Sequence, residues 1–521
     1  MMASAPLLAG LDVGTTSIKA VVYDRAGNAL SRAAVSTPTH TPRPGWASYD
    51  AEELWAASAE VLRAALAGVP NPEDVRGIAV ASVGEAVVPL AADGTPTGET
   101  IAWYDTRTYP QVEWLDREIG KDRLFAISGV SLQPIFSLCK LLWLKQERPE
   151  AWAQTTRVLF VADYIAWRLS GEAMTDYSLA SRTLMFDLHR HQWSREILDA
   201  AGIDSGMLAP LAPGGTPIGP VTPAASAETG LPTTCVVATG GHDHVCGALA
   251  AGVTRTGQML NSLGTAEAVF LPLAAPITDA AAGREGFAQG AHVIGDLAYC
   301  FGGQYTSGAC VTWARDLVAA PGETPPSYDQ LFAEAAAAPA GSLGVCFLPH
   351  LRLANAPYDD PKSRGAFIGL SADVKRGALV RSVLEGLAFE TAASYDALLR
   401  YPEAIPATEI IAIGGGARNE LLMRIKATVM GQPILVVEAE EATALGAALL
   451  GGLGAGVYTD IDDALGSLTY GRRLVEPLTA DAAMYEAVFR EVFLPLYPTI
   501  RPLSHASVDI QRRLGPAAGR E

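Results

Sequence analysis

The chain has 521 residues, more than one hydrophobic core ordinarily supports, so two domains are expected. It is 49% apolar with a formal net charge of −18, which describes a globular protein and argues against a nucleic-acid-binding surface. A phosphate-bearing ligand stays open, because backbone N–H groups and a divalent cation hold phosphate without a basic patch. The six cysteines form no C-x-x-C pair, so no zinc or redox motif appears, and buried thiols in a reducing compartment are expected. Asp12 interrupts what would be the apolar core of a signal peptide, and charges, Gly and Pro break every run that could span a bilayer. The expectation is a cytoplasmic protein with no membrane contact.

Leu7–Val13 and residues 18–23 read as strands joined by Gly14-Thr15-Thr16, and Arg25-Ala26-Gly27-Asn28 turns the chain into a third strand over 29–35. A helix follows over 50–66, with Leu54, Trp55, Val61, Leu62 and Leu66 as its apolar side and Asp50 as N-cap. A strand over 77–82 comes next, and this order predicts a mixed α/β sheet. Asp12 needs a partner, since burying an unpaired carboxylate is costly. Gly14, Thr15 and Thr16 can set backbone N–H groups and two hydroxyls around a phosphate, with Asp12 facing the magnesium that accompanies a nucleotide. An acid capping its own turn explains Asp12 as well. Lys19 can reach phosphate or run out to solvent.

Glu85 lies just past the 77–82 strand, and Trp103, Asp105 and Arg107 sit close together in "IAWYDTRT". Polar groups beside an aromatic face suit a polyhydroxylated ligand, while a surface loop with one buried Trp and an Asp–Arg pair is the plainer reading. In "ATGGHDHVCGALAAG", Asp243 precedes a small-residue helix over 245–251, near an N-terminus that stabilises an anion. One carboxylate there suits acceptance of a hydroxyl proton during phosphoryl transfer. An N-capping Asp with no other role is the alternative. The His-x-His pattern lacks a third metal ligand.

Gln258–Leu263, the turn "SLGTAE" and a strand over 268–273 repeat the first hairpin, with Ser262-Leu263-Gly264-Thr265 matching Asp12-Val13-Gly14-Thr15. Internal duplication with facing loops explains the match, and so does a chance pair of Gly-Thr turns. Glu409–Ile413, a helix over 419–430, Ile434–Val437 and a helix over 442–450 form a βαβα series. Gly414-Gly415-Gly416 between strand and helix lets a ligand lie against the backbone, without the spacing of a dinucleotide fingerprint. This reads as a mononucleotide site with Asn419 near base or ribose, or as a tight turn.

Together these stretches resemble the FGGY carbohydrate kinases of the actin-like ATPase superfamily. "GLDVGTTSIKAVVYD" looks like the first phosphate motif, "NSLGTAEAVF" the second and "IIAIGGGARNELLMRIKATVMGQPI" the adenosine motif. "SLCKLLWLK" and "GAFIGLSADVKRGALVRSVLEGLAFE" resemble the two family signatures, with departures at Ile135 and Ala378. The resemblance implies an α/β protein of two ribonuclease-H-like domains with a ligand cleft between them. A sugar-binding and phosphate-loop domain is expected over 6–250, a nucleotide-binding domain over 251–504 and a frayed polar tail over 505–521. It further implies that Asp243 is the catalytic base and that Asp12 helps hold Mg²⁺. Gly14, Thr15, Thr16, Gly264 and Thr265 would contact the phosphates of ATP, and Gly415, Gly416 and Asn419 the adenosine. Glu85 and His244 fall in the sugar site, where xylulose kinases usually carry Met-His and glycerol kinases Arg-Glu in place of Gly84-Glu85. A ketopentose such as xylulose is the favoured acceptor, with another ketose, aldonate or polyol as the alternative. An actin-like ATPase coupled to a partner is the rival from another class. The expected partners are a small sugar and ATP, with a homodimer as the assembly.

Overall fold

Turn chemistry sets the first three strands. In the computed structural model, which describes residues 5–319 and 324–514, β1 (Leu7–Val13), β2 (Ser17–Asp24) and β3 (Ala29–Ser36) run antiparallel. The Asp24 carboxylate closes the second turn by accepting from Ala26 and Asn28 N–H, each at 2.9 Å. α1 (Ala51–Ala67) begins after Asp50, whose carboxylate accepts from Glu52 and Glu53 N–H, and it buries the predicted apolar side. β4 (Val75–Ser82) lies parallel to β1, and β5 (Pro217–Pro220) and β6 (Val236–His242) complete a six-stranded sheet in the order β5-β6-β4-β1-β2-β3.

The second sheet repeats these connections. After α2 (Asp243–Ala250), β7 (Gln258–Leu263) and β8 (Glu267–Leu273) form a hairpin. β9 (Ala288–Ala291) and β10 (Ala298–Gln304) extend it on one side, and β11 (Glu409–Ile413), β12 (Ile434–Val437) and β13 (Arg472–Val475) on the other. The seven strands run in the order β9-β10-β8-β7-β11-β12-β13. β7 pairs antiparallel with β8 and parallel with β11, as β1 does with β2 and β4. α3 (Gly308–Leu317), α4 (Arg376–Leu398) and α5 (Glu420–Met430) belong to this half. The two departures from the signatures are packing positions: Ala378 is buried in α4, and Ile135 packs against the first core.

α6 (Ala442–Gly454) lies within the second half in sequence, between β12 and β13, yet packs across the first sheet. It approaches so closely that a Cβ at Gly10 would lie 1.8 Å from the Ala444 carbonyl, and one at Gly77 2.1 Å from the Gly451 carbonyl. A third apolar core therefore lies between the sheets, joining Leu8 and Ala79 of the first to Leu260 and Ile411 of the second through α2 and α6. The tail expectation needs correction. Residues 505–514 continue α7 (Leu494–Leu514), which buries Ser504 and Val508. His505 pairs with Asp360 at 2.7 Å, which docks the helix instead of letting it fray. Residues 515–521 lie outside the described residues.

Candidate active site

The first hairpin turn is tied down from three directions. Gly14 N–H donates to the Ser17 carbonyl at 3.1 Å, the Thr37 hydroxyl to the Gly14 carbonyl at 2.7 Å, and Trp103 Nε1 to Thr15 Oγ1 at 2.9 Å. Trp103 thus braces this turn through Thr15, while Thr16 at the tip is exposed. Asp12 is the last residue but one of β1, just before this turn. Its Oδ1 is buried with no hydrogen-bond donor among the described residues. Burial pushes the carboxyl up to about 7, and the charges of Asp243 and Glu441 push the same way against Lys19. Lys19 pairs with Glu441 at 2.7 Å, both partly exposed, so its amine is held at the start of α6.

Opposite Asp12, β6 bulges against β4 between Ala238 and Gly241, and a Cβ at Gly240 would lie 1.8 Å from the Val80 carbonyl. The strand then delivers His242 and Asp243 to the first turn of α2. Asp243 Oδ1 accepts from His244 N–H at 2.6 Å and lies 3.3 Å from His242 Nε2. Burial drives His242 down to about 3, so its ring is neutral. No cluster of three or more His, Cys, Asp or Glu side chains placed to hold a metal occurs among the described residues.

The acceptor-site expectations divide. Glu85 is buried beside Arg182, whose Nε and Nη2 donate to Oε1 at 2.8 and 2.6 Å. The exposed His244 ring lies 5.5 Å from that of His242 and stacks 6.3 Å from Phe301 of β10, which brings the second sheet into this corner. Asp105 and Arg107 are placed elsewhere, as a correction to the sugar-site reading. Both side chains are fully buried and paired at 2.8 Å, with Asp105 also accepting from Ala47 N–H. Arg107 lies against the rings of Trp46 and Trp143, so the pair locks the loop around Ala47. Arg182 and Phe301 escaped the sequence reading. A lone Arg inside the apolar stretch around "LASRTLMF" was the available signal, of the same kind as Asp12.

Five residues expected at the nucleotide come together. Gly264, Thr265, Gly415, Gly416 and Asn419 line one cleft of about 1400 Å³, with Gly308 and Trp313 of α3 opposite. Gly308 N–H donates to the Gly264 carbonyl at 3.1 Å and Ser307 N–H to the Thr265 carbonyl at 2.9 Å, which seats the hairpin on the start of α3. Gly414 has φ +96° and leaves no room for a Cβ, which would lie 2.4 Å from the Leu263 carbonyl. The Asn419 side chain caps α5 through Leu422 N–H at 3.1 Å. Beneath the hairpin, buried Glu267 accepts from Lys426, Thr391, Asn261, Gln304 and Ser307. Burial pushes its carboxyl up, but Lys426 and the other donors outweigh burial and hold it below the ordinary range.

The FGGY family of carbohydrate kinases is matched by its N-terminal domain model over residues 7–250 and by its C-terminal domain model over 259–455. A xylulose kinase of Bacillus subtilis is 27% identical over 499 residues, 95% of this chain and 98% of that protein. A glycerol kinase of Bordetella parapertussis is 31% identical over 488 residues, 91% of this chain and 94% of that protein. The crystal structure of xylulose kinase from Rhodospirillum rubrum superposes with a TM-score of 0.87 at 29% identity, covering 96% of this chain and all of that one.

Proposed function

The chain belongs to the FGGY family of carbohydrate kinases, and from that premise we propose that it phosphorylates a ketopentose such as xylulose, with Asp243 as the base. ATP is the phosphoryl donor of this family's reaction, and the acceptor is a carbohydrate hydroxyl. The observation that carries the assignment of roles is the unpartnered Asp12 Oδ1 across from Asp243. An acid whose ionisation the facing Asp243 carboxylate opposes, and whose Oδ1 has no donor among the described residues, is suited to a cation, with Asp243 left for the reacting hydroxyl.

Asp243 accepts the proton of the attacking hydroxyl, and the His244 N–H steadies the carboxylate that receives it. The neutral His242 ring adds no competing acid beside it. Thr15 and Thr16 on one side and Thr265 on the other offer N–H groups and hydroxyls to the phosphates, while Gly14 and Gly264, whose N–H groups close the turns, let the phosphates approach. Gly415, Gly416 and Asn419 lie along the adenosine, with the Trp313 ring in the same cleft. The buried, donor-free Asp12 oxygen fits Mg²⁺, which would be held by Asp12 together with nucleotide phosphates and water, since no all-protein cage is present among the described residues. When bound, Mg²⁺ neutralises phosphate charge. Lys19 reaches phosphate only by leaving Glu441.

Glu85, His244 and Trp103 form the acceptor side of this reading. The expected domain division, with sugar and phosphate loop over 6–250 and nucleotide over 251–504, belongs to it, with α6 crossing between the halves. So do a cytoplasmic location, in keeping with six unpaired buried thiols, and a homodimer, which sedimentation would test. The functional test is ADP release in a coupled assay with xylulose, ribulose, gluconate and glycerol. Xylulose is expected to give the highest kcat/KM. A polyol or aldonate in first place would replace the acceptor, and turnover indifferent to every acceptor would overturn the reading in favour of a partner-coupled ATPase.

A further inference from the structure

Asp243 is carried on a strand end that has little of its own to hold it. Gly240 and Gly241 precede His242, and the register of β6 against β4 shifts between Ala238 and Gly241. Two glycines and an irregular ladder give this main chain more freedom than the rest of the strand. One side chain limits that freedom. Ser178, fully buried, accepts from the His242 N–H through Oγ at 2.8 Å. The same oxygen lies against Gly241, where a Cβ would come within 3.0 Å of it. Ser178 belongs to a four-residue helix, Tyr177–Ala180, that is tied down at both ends. The Asp176 carboxylate accepts from Ser178 and Leu179 N–H at 2.7 and 3.0 Å. The Ser181 hydroxyl, just past the helix, accepts from Ala291 N–H of β9 at 2.9 Å.

The aim of Asp243 depends on the main chain that Ser178 holds. His244 N–H at 2.6 Å and His242 Nε2 at 3.3 Å both meet Asp243 Oδ1. Oδ2 is then the oxygen left for the attacking hydroxyl. The geometry assigns Ser178 as a positioning residue for the base: through the His242 N–H it fixes the strand end, so that both contacts close on Oδ1 and Oδ2 is presented to the acceptor. Ser178 acts through the main chain and not on the substrate. The inference rests on the proposed reading of Asp243 as base. Proton transfer is sensitive to such aim, since a displacement of about 1 Å caused by a change away from the reacting atoms can cost about 10²-fold.

The test is steady-state kinetics on the full chain, with whichever of xylulose, ribulose, gluconate and glycerol the wild type turns over fastest. Ser178→Ala removes the acceptor oxygen without adding bulk and should lower kcat about tenfold or more, with KM for acceptor and for ATP within about twofold of wild type. Ser178→Cys keeps the shape with a weaker acceptor and should show a smaller loss of the same kind, which preserves the comparison if the alanine variant does not fold. In the Asp243→Asn background either change should cost less than about twofold, because a clamp that acts through the base then has nothing to aim. A loss of equal size in both backgrounds, a loss carried by KM, or an unchanged kcat overturns the inference and leaves the kinase reading intact. Wild-type turnover by Asp243→Asn alone removes the base and the inference with it.

Discussion

The two Gly-Thr hairpins share a topology and differ in what surrounds them. In the first, Asp12 stands opposite Lys19 in the strand register, keeps an oxygen without a donor and bears the field of Asp243. In the second, Ser262 occupies the matching place, and the acid of that hairpin, Glu267, accepts five hydrogen bonds in a closed network. One scaffold is therefore used in two electrostatic states. A saturated acid holds a loop still, whereas an unsaturated one waits for a cation or a proton. On the proposed reading the first hairpin serves the chemistry and the second holds its loop in place.

Breaking the reactive side should have the largest effect. Asp243→Asn is expected to lower kcat by about 10²–10⁴-fold with ADP affinity by calorimetry unchanged. Turnover within a factor of about ten of wild type would remove Asp243 as base. Asp12→Asn should lower kcat/KM for Mg-ATP by about 10²–10³-fold. The same change should stabilise the metal-free protein at high pH. With its carboxyl pushed up from 3.8 to about 7, Asp12 keeps in the folded chain a proton that the unfolded chain has released, so folding stability falls as pH rises between those values and levels off above them. Melting curves at pH 8 should place Asp12→Asn above wild type, with the gap closing towards pH 4.

The saturated hairpin should respond in the opposite sense. Lys426→Met leaves Glu267 buried and unpaired and should cost about 3–5 kcal/mol by denaturant unfolding, with any activity loss confined to KM for ATP. Adding Glu267→Gln should recover most of that stability, and a failure to recover it would mean that the network is not closed in the way described. The smallest effect is expected at the rim. Glu441→Gln frees Lys19 from a partly exposed pair worth about 1 kcal/mol or less, and KM for ATP should fall by about twofold if the amine then reaches phosphate. A rise in KM would make Glu441, not phosphate, the proper partner of Lys19.

Local pattern carried much of this. Strand alternation and Gly-Thr turns placed both hairpins, and Asp50 marked the start of α1 to the residue. Lone acids in apolar surroundings pointed to Asp12 and Asp243. The same logic failed at Asp105 and Arg107, because proximity of opposite charges to an aromatic looks alike whether the cluster faces a ligand or clamps a loop against Trp46 and Trp143. It also failed at the tail, where a polar stretch with Gly and Arg from His505 onward suggested fraying. The docking of His505 on Asp360, 145 residues away, decided otherwise.

By itself, the sequence determined the elements, the two Gly-Thr turns and the acids close to strand ends, since these follow from periods of two and 3.6 residues and from turn chemistry within a few positions. Only the tertiary structure decided which acid stays unsatisfied, that Arg182 meets Glu85 across 97 residues and that α6 crosses to the other sheet through glycine contacts. Burial and partnering depend on what long-range packing brings against a side chain, and no short window of sequence contains that information.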